Sequence, residues 1–246
     1  MLMLIAIAEP CVHARLLRRT GKTQSSRIAL RRRLHVSPLI TDPGTVETEF
    51  NGAFTDSAWS MPSTFKWTPE GTNLVWGRTE YSAGLDVLTS NDGTHTTDHL
   101  SLTGTTLILD GDHWNFAVAP TLTFGFRDQE DLRAGMTAIT RYDFGRNSAG
   151  STLTWTSNPG TWDFGSGFGH TFGTRTTVHA DSLYERARGY EGAWSFFEGF
   201  ELQMTQAIAV DLSAQHLNLT GGATDHQALI GLTINFGRPS TWFHRH

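Results

Sequence analysis

The feature that most constrains the fold of this chain is a set of long runs in which apolar residues alternate with polar or small ones. In "HWNFAVAPTLTFGF", Trp114, Phe116, Val118 and every second residue to Phe126 oppose mostly small or polar residues. Alternate side chains of an extended chain point to opposite faces, whereas a helix groups positions three and four apart. Similar runs, such as "NLVWGRTEYSAGLDVL" and "LRAGMTAITRYDF", recur from Thr45 onward. The sequence therefore predicts an all-β protein.

The run "TWDFGSGFGHTFG", from Thr161 to Gly173, shows this alternation in its most pronounced form. Trp162, Phe164, Phe168 and Phe172 lie at alternate positions on one face, and four glycines fill most of the positions of the other face. Glycine weakens a strand unless a bend or a close neighbour compensates for it. We therefore predict a strand with an aromatic face outward and a thin glycine face inward.

The length of the runs indicates the environment of the strands. They last about 10 to 14 residues, whereas strands of soluble proteins are usually about five or six residues long. A tilted strand that crosses a bilayer needs about 9 to 11 residues. Turn sequences such as "DGDH" and "SNPG" separate the runs. We predict about twelve strands (range 10–14) in an antiparallel, up-and-down transmembrane β-barrel.

Two parts of this pattern are less regular. Glu198 falls on the same face as Trp194, Phe196 and Phe200, which predicts a bulge or a loop within residues 175–198. The segment "HTTDH" contains His95, Asp98 and His99 and is predicted to be a solvated loop without a metal.

The direction of the apolar faces decides between a soluble sandwich and a membrane barrel. Bulky aromatic residues lie near many of the predicted strand ends, as in the interfacial girdles of membrane barrels. They are Trp76, Trp114, Phe126, Tyr142, Phe144, Trp155, Trp162 and Phe236. The opposite faces are rich in Thr, Ser, Asn, Gly and charged residues, which suits a polar lumen. The sequence therefore favours apolar faces that contact lipid.

The distribution of charge divides the chain. Eight of the 19 Lys and Arg residues precede Val36, but only one of the 24 Asp and Glu residues does. The remainder has 11 basic and 23 acidic residues, a formal net charge of −12. The chain from Val36 onward is acidic enough to repel nucleic acid, so we expect no nucleic-acid partner.

We divide the chain into a leader or mis-started segment (1–40), expected to be disordered, a barrel (41–237) and a short tail (238–246). The basic leader follows the apolar stretch "MLMLIAIA" and is predicted to be a targeting segment. The single cysteine, Cys11, lies within it. The predicted barrel therefore has no disulfide, thiolate nucleophile or cysteine-ligated zinc.

The closing strand resembles the C-terminal signal by which outer-membrane barrels are recognised by their assembly machinery. A glycine, Gly231, is followed by hydrophobic residues at alternate positions, Ile234 and Phe236. Leu229 occupies the usual polar position before the glycine, and "GRPSTWFHRH" continues beyond the signal. The barrel-assembly machinery and outer-membrane lipid are therefore the expected partners.

Three segments carry a resemblance to a known family: "PLITDPGTVETEF", "FELQMTQAIAVDLSAQHLNLTGGATDH" and "ALIGLTINFG". From Pro38 to Gly237 the chain resembles the bacterial outer-membrane proteins grouped with the meta-pathway of phenol degradation. The resemblance implies a barrel of about this strand number that passes small molecules, hydrophobic ones included, across the outer membrane of a Gram-negative bacterium. It brings no defined site residues.

Charged residues on the polar faces are the candidate lumen residues. They are Arg78, Glu80, Asp86, Arg133, Arg141, Asp143, Glu201 and Asp211. They could select solutes, as rings of charge do in pores, or form an ion-paired network that stiffens the wall. No serine is placed beside a base, and "GSGFGHTFG" lacks the spacing of a dinucleotide fingerprint. We therefore expect no catalytic residue, metal or cofactor.

Three functions remain open from the sequence. The first is a passive outer-membrane channel or transporter for small molecules. The second is a secreted β-sandwich or jelly roll that binds carbohydrate through surface aromatic residues. The third is a membrane barrel with a closed lumen that acts as an adhesin or as a lipid-modifying enzyme.

Overall fold

The structure of the protein is a computed structural model. It describes residues 40–54, 58–69, 78–90, 95–125, 132–157, 160–187, 192–218 and 224–237. The predicted leader up to residue 39 and the predicted tail lie outside these ranges. In the described part of the chain, no helix has the length and hydrophobicity needed to cross a membrane.

Every regular element of the described chain is a β-strand. The strands are β1 (Val46–Phe54), β2 (Ala58–Ser60), β3 (Ser63–Trp67), β4 (Thr79–Ser90), β5 (His95–Asp110), β6 (Trp114–Gly125), β7 (Leu132–Phe144), β8 (Asn147–Thr156), β9 (Thr161–Phe172), β10 (Thr176–Ala187), β11 (Ala193–Gln203), β12 (Ile208–Asn218) and β13 (Thr224–Gly237).

The strands form one closed antiparallel barrel in meander order. Strands β2 and β3 both pair with β1 on one side and with β4 on the other, so they are two halves of one barrel strand. Met61 and Pro62 separate these halves, which is consistent with the missing N–H of proline. The last strand, β13, pairs with β1 and closes the sheet. The predicted twelve-stranded, up-and-down barrel is confirmed.

The two faces of the barrel wall differ in the way that the alternation predicts. On β9, Trp162 and Phe164 are 55% and 47% exposed on the outside, whereas Asp163 between them is 1% exposed on the inside. Gly165, Gly167 and Gly169 lie on the inner face of this strand, opposite the aromatic residues. The apolar faces therefore point outward, which is the reverse of a soluble β-sandwich.

Aromatic residues cluster at both ends of the barrel. At the terminal end, where β1 begins and β13 ends, Tyr142 lies with its ring centroid 4.9 Å from that of Trp114 and 5.5 Å from that of Phe144. At the opposite, distal end, Tyr184 and Trp194 have centroids 5.0 Å apart. Trp76 and Phe126, two of the predicted girdle residues, lie outside the described residues.

Two local predictions are wrong. Strands β10 and β11 pair in continuous register from Thr176–Leu202 to Glu185–Ala193, so no bulge interrupts them. Glu198 instead projects outward from an intact strand. The segment "HTTDH" is the beginning of β5 rather than a loop, because it continues the ladder with β4. Both predictions were wrong because polar residues also occur within regular strands of this barrel.

Candidate functional site

The inside of the barrel is polar and carries an excess of negative charge. Within the described residues, seven carboxylates and two cationic side chains are buried there: Glu47, Glu49, Glu80, Asp163, Asp181, Glu201, Asp211, Lys66 and Arg133. Buried charges require partners or hydrogen bonds, because their transfer out of water is costly. The lumen therefore holds organised charge clusters, and its net charge is negative.

Lys66 is the centre of the cluster near the terminal end. Its Nζ atom donates to Glu47 Oε1 at 3.2 Å and to Glu49 Oε1 at 2.5 Å, and all three side chains are at most 1% exposed. Glu47 and Glu49 occupy alternate positions of β1, and Glu47 pairs directly with Lys66 of β3. Glu80, at the start of the next strand, adds a third fully buried carboxylate. One ammonium group therefore bridges two carboxylates, and a third buried carboxylate lies on the next strand.

A tight turn before β1 directs the chain into the barrel. The N–H of Thr45 donates to the carbonyl oxygen of Asp42 at 3.1 Å, with Pro43 and Gly44 between them. Gly44 has a φ of 81°, as the third position of a type II turn requires. The turn reverses the chain, so residues 40–42 enter the lumen instead of continuing away from the barrel.

Ile40 and Thr41 are held on the inner wall. The N–H of Thr41 donates to Glu80 Oε2 at 2.8 Å, and its hydroxyl lies 2.7 Å from that of Thr68. Ile40 is 2% exposed. It packs in a cluster with the inward-facing residues Leu107, Ala117, Ala119 and Ile139 of β5, β6 and β7. This inward segment (residues 40–42) narrows the lumen at its terminal end.

A second cluster surrounds His179 on the inner face of β10. His179 Nε2 lies 3.0 Å from Asp211 Oδ2, and His179 Nδ1 lies 3.8 Å from Asp181 Oδ2. The Ser213 hydroxyl donates to Asp211 Oδ1 at 2.8 Å. Glu201 pairs across the strands with Asp211, so three carboxylates lie on neighbouring strands around one imidazole.

Gly199 makes the contact between His179 and Asp211 possible. His179 is on β10 and Asp211 on β12, and Gly199 of the intervening β11 pairs with His179 on one side and Ser213 on the other. A Cβ atom at Gly199 would lie 2.6 Å from Ser213 Cβ and would also clash with the Leu212 carbonyl oxygen. The His179 imidazole therefore reaches Asp211 by crossing β11 at a residue that has no side chain.

Replacement of this glycine gives a direct test of the cluster. We expect Gly199→Ala to destabilise the barrel by about 1–3 kcal/mol, the usual effect of overpacking a filled interior. Urea unfolding in detergent micelles measures this change. Gly104→Ala is the control, because a Cβ there would lie 4.0 Å from its nearest neighbour. Equal stability of the two variants would contradict the packing described for Gly199.

A cavity of about 240 Å³ opens at the terminal end of the barrel, and its lining includes Arg141, Asp143, Ser148, Thr171 and Thr177. Arg141 bridges to Asp143 at 2.7 Å, and both side chains are partly exposed. In the described residues, no group of three or more His, Cys, Asp and Glu is arranged to hold a metal ion. Because charged and hydroxyl side chains line this cavity, we call it the polar vestibule.

The candidate lumen residues occupy different levels of the barrel. Glu80, Arg133, Glu201 and Asp211 are buried inside, and Arg141 and Asp143 line the vestibule. Arg78 pairs with the exposed Asp110 at the terminal rim, at 2.8 Å. Asp86 belongs to β4, but its side chain lies outside the described part of the structure. A role of these residues in solute selection stays a prediction.

Sequence reasoning missed the residues at the centres of both clusters. These are Lys66 with Glu47 and Glu49, and His179 with Asp181. The alternation in "VETEF" and "STFKW" could have identified the first three, because the charged residues lie on the face opposite Phe50 in the first run and opposite Phe65 and Trp67 in the second. The His179 cluster depends on contacts across three strands, which no local pattern reveals.

The residues of the proposed assembly signal lie on the last strand as the alternation predicts. Gly231 is on the inner face of β13, whereas Phe236 is 47% exposed on the outer face. Ile234 shares the outer face with Phe236. Recognition of this strand by the assembly machinery stays a prediction.

Solved outer-membrane channels share this architecture. The NanC porin is 12% identical to the chain, with a TM-score of 0.59, and the alignment covers 76% of this chain and 98% of that porin. The COG4313 outer membrane channel from Pseudomonas putida F1 is 11% identical, with a TM-score of 0.59 and coverage of 82% and 98%. The chain has the fold of an outer-membrane porin.

A third similar structure, the KdgM porin, is 7% identical, with a TM-score of 0.56 and coverage of 76% of this chain and 98% of that one. No protein-family model matches the sequence. No curated protein matches it either. At these identities the similarity concerns the fold, and the more specific relation to the phenol-degradation group remains a resemblance.

Proposed function

We propose that the protein is a passive channel of the bacterial outer membrane for small cationic and neutral solutes. The observation that carries this proposal is a closed barrel whose outside is apolar and whose inside is acidic. An outward apolar face with aromatic ends matches the requirements of a bilayer. Similarity to solved porins supports the same environment.

The sign of the buried charge supports a preference for cations. Seven buried carboxylates face two buried cationic side chains inside the described barrel, and rings of acidic side chains favour cations in pores. One KdgM structure is a complex with disordered oligogalacturonate, which is a polyanion. The acidic lumen of the present chain is poorly suited to such a ligand, so a different class of solute is expected.

The narrow interior limits the size of the solute. Most inward-facing side chains of the described strands are buried, and the inward segment occupies part of the terminal end. A small conductance and the exclusion of large solutes are therefore expected. The proposal assigns no catalytic residue and no cofactor.

Swelling of liposomes that contain the refolded full chain tests the proposal. We expect a small neutral sugar and a quaternary amine to enter, and a sugar acid of the same size to be excluded. Heat-dependent mobility in dodecyl sulfate shows first that the protein is folded. No swelling with a folded protein would favour the closed barrel, and a detergent-independent soluble monomer would favour the carbohydrate-binding sandwich.

The vestibule gives a prediction about selectivity. Arg141→Ala removes the cationic partner of Asp143, which Arg141 contacts at 2.7 Å. We expect the permeability ratio of potassium to chloride to rise, because a carboxylate at the entrance attracts cations. Arg78→Ala is the control, since the Arg78–Asp110 pair lies at the exposed rim. An unchanged potassium to chloride permeability ratio for Arg141→Ala would show that Arg141 does not contribute to the ion selectivity of the pore.

A further inference from the structure

Glu198 lies on the outer wall of the barrel, on the same face of β11 as the exposed Phe196 and Phe200. It is the middle residue of β11, and its side chain is 70% exposed. A charged side chain on the lipid face of a barrel destabilises it most near the middle of the membrane. We therefore expect the Glu198 carboxylate to contact polar groups of another molecule instead of lipid acyl chains.

Two histidines complete a polar patch beside Glu198. His216 Nε2 lies 3.3 Å from Glu198 Oε1, and His216 Nδ1 lies 2.8 Å from His226 Nδ1. The two imidazole rings are on neighbouring strands, β12 and β13, and pair in register. An acid and two bases thus lie side by side on one outward surface.

Small residues surround Glu198 along its row of the sheet. The register aligns Ala180 of β10, Glu198 of β11, Ala214 of β12 and Ala228 of β13. The row ends in large side chains, Phe168 on one side and Phe54 on the other. The wall is therefore thin around Glu198, which allows another polypeptide to approach closely, as small residues do in membrane interfaces.

We propose that this outer surface of β10–β13 is an interface between two copies of the chain. In a two-fold interface the same patch meets itself, so each residue that contacts a second residue is contacted by it in return. A patch that contains both an acid and bases is complementary to its own copy. Glu198 of one copy can then approach the imidazoles of the other, and the alanine row brings the two walls together.

Cysteine cross-linking in the membrane tests this proposal with a matched control. The only native cysteine, Cys11, is replaced by alanine, and Ala214→Cys is compared with Ala138→Cys. Ala138 is the middle residue of β7, so both positions lie on the outer wall at mid-height of their strands. Copper phenanthroline should convert most of the Ala214→Cys protein to a disulfide-linked dimer and leave Ala138→Cys monomeric.

A second variant separates a specific interface from simple proximity. Adding Glu198→Gln to Ala214→Cys should reduce the dimer yield severalfold, while the heat-dependent mobility of the folded barrel is kept. Monomers only at Ala214→Cys, or equal cross-linking at both positions, would overturn the proposal. Monomeric protein that carries a co-purified lipid, lost in Glu198→Gln, would also overturn it and would identify lipid as the occupant. None of these results depends on whether the lumen conducts.

Discussion

Lys66→Met should destabilise the barrel by about 3–5 kcal/mol, the usual result of removing one partner from a buried ion pair. Methionine is close in size to lysine but removes the ammonium group that contacts Glu47 and Glu49. Glu47 and Glu49 would then lose the positive charge between them, with the buried carboxylate of Glu80 nearby. The urea midpoint of unfolding in detergent micelles and the heating temperature of the mobility shift both measure this loss.

A double variant tests the cause of the effect. Lys66→Met combined with Glu49→Gln removes one negative charge together with the positive one, so it should recover a substantial part of the lost stability. Lys66 is also the only lysine after residue 22, and its burial predicts that amine reagents modify the barrel only after unfolding. A single Lys66→Met variant as stable as the parent would contradict the charge cluster.

Removal of the inward segment should raise the single-channel conductance severalfold. Deletion through Asp42 eliminates Ile40, which is packed against four inward-facing residues, and the hydrogen bond from Thr41 to Glu80. The lumen would widen at its terminal end because Ile40 and Thr41, which are buried against its inner wall, would be absent. Planar-bilayer recordings of the refolded protein measure the change.

Point substitutions in the full chain provide the control for this deletion. Ile40→Asp places a carboxylate in an apolar contact within an acidic lumen, so it should expel the segment and reproduce the higher conductance. Ile40→Val removes one methylene group and should keep the parental value. Equal conductance of the deletion, Ile40→Asp and the parent would show that the segment does not limit the pore.

The fold could be predicted from sequence because one pattern repeats along most of the chain. The two-residue period gave the faces, the run length favoured a membrane over a core, and turn sequences separated the strands. The run from Thr161 to Gly173 became β9 with aromatic residues outside and glycines inside. The bulge or loop predicted around Glu198 was wrong. The two-residue period places Glu198 on the apolar face, and a carboxylate on that face predicts an interruption of the strand.

The site was less predictable because its contacts are not local. Glu80 and Asp211 were identified as inward-facing, but the Thr41 N–H that donates to Glu80 precedes β1, and His179, which contacts Asp211, lies two strands away. His179 contacts Asp211 across Gly199 of the intervening strand, and Ile40 precedes a turn in which Gly44 has a positive φ. Such contacts depend on strand register and on single backbone angles, which a periodic pattern does not specify.

The sign of the reversal potential in a potassium chloride gradient tests the central claim most directly. The measurement requires the refolded full chain, with the variant lacking residues 1–42 alongside it, in a planar bilayer. An acidic lumen predicts that potassium is more permeant than chloride in both proteins. A preference for chloride, or the absence of current from both folded proteins, would contradict a cation-preferring outer-membrane channel.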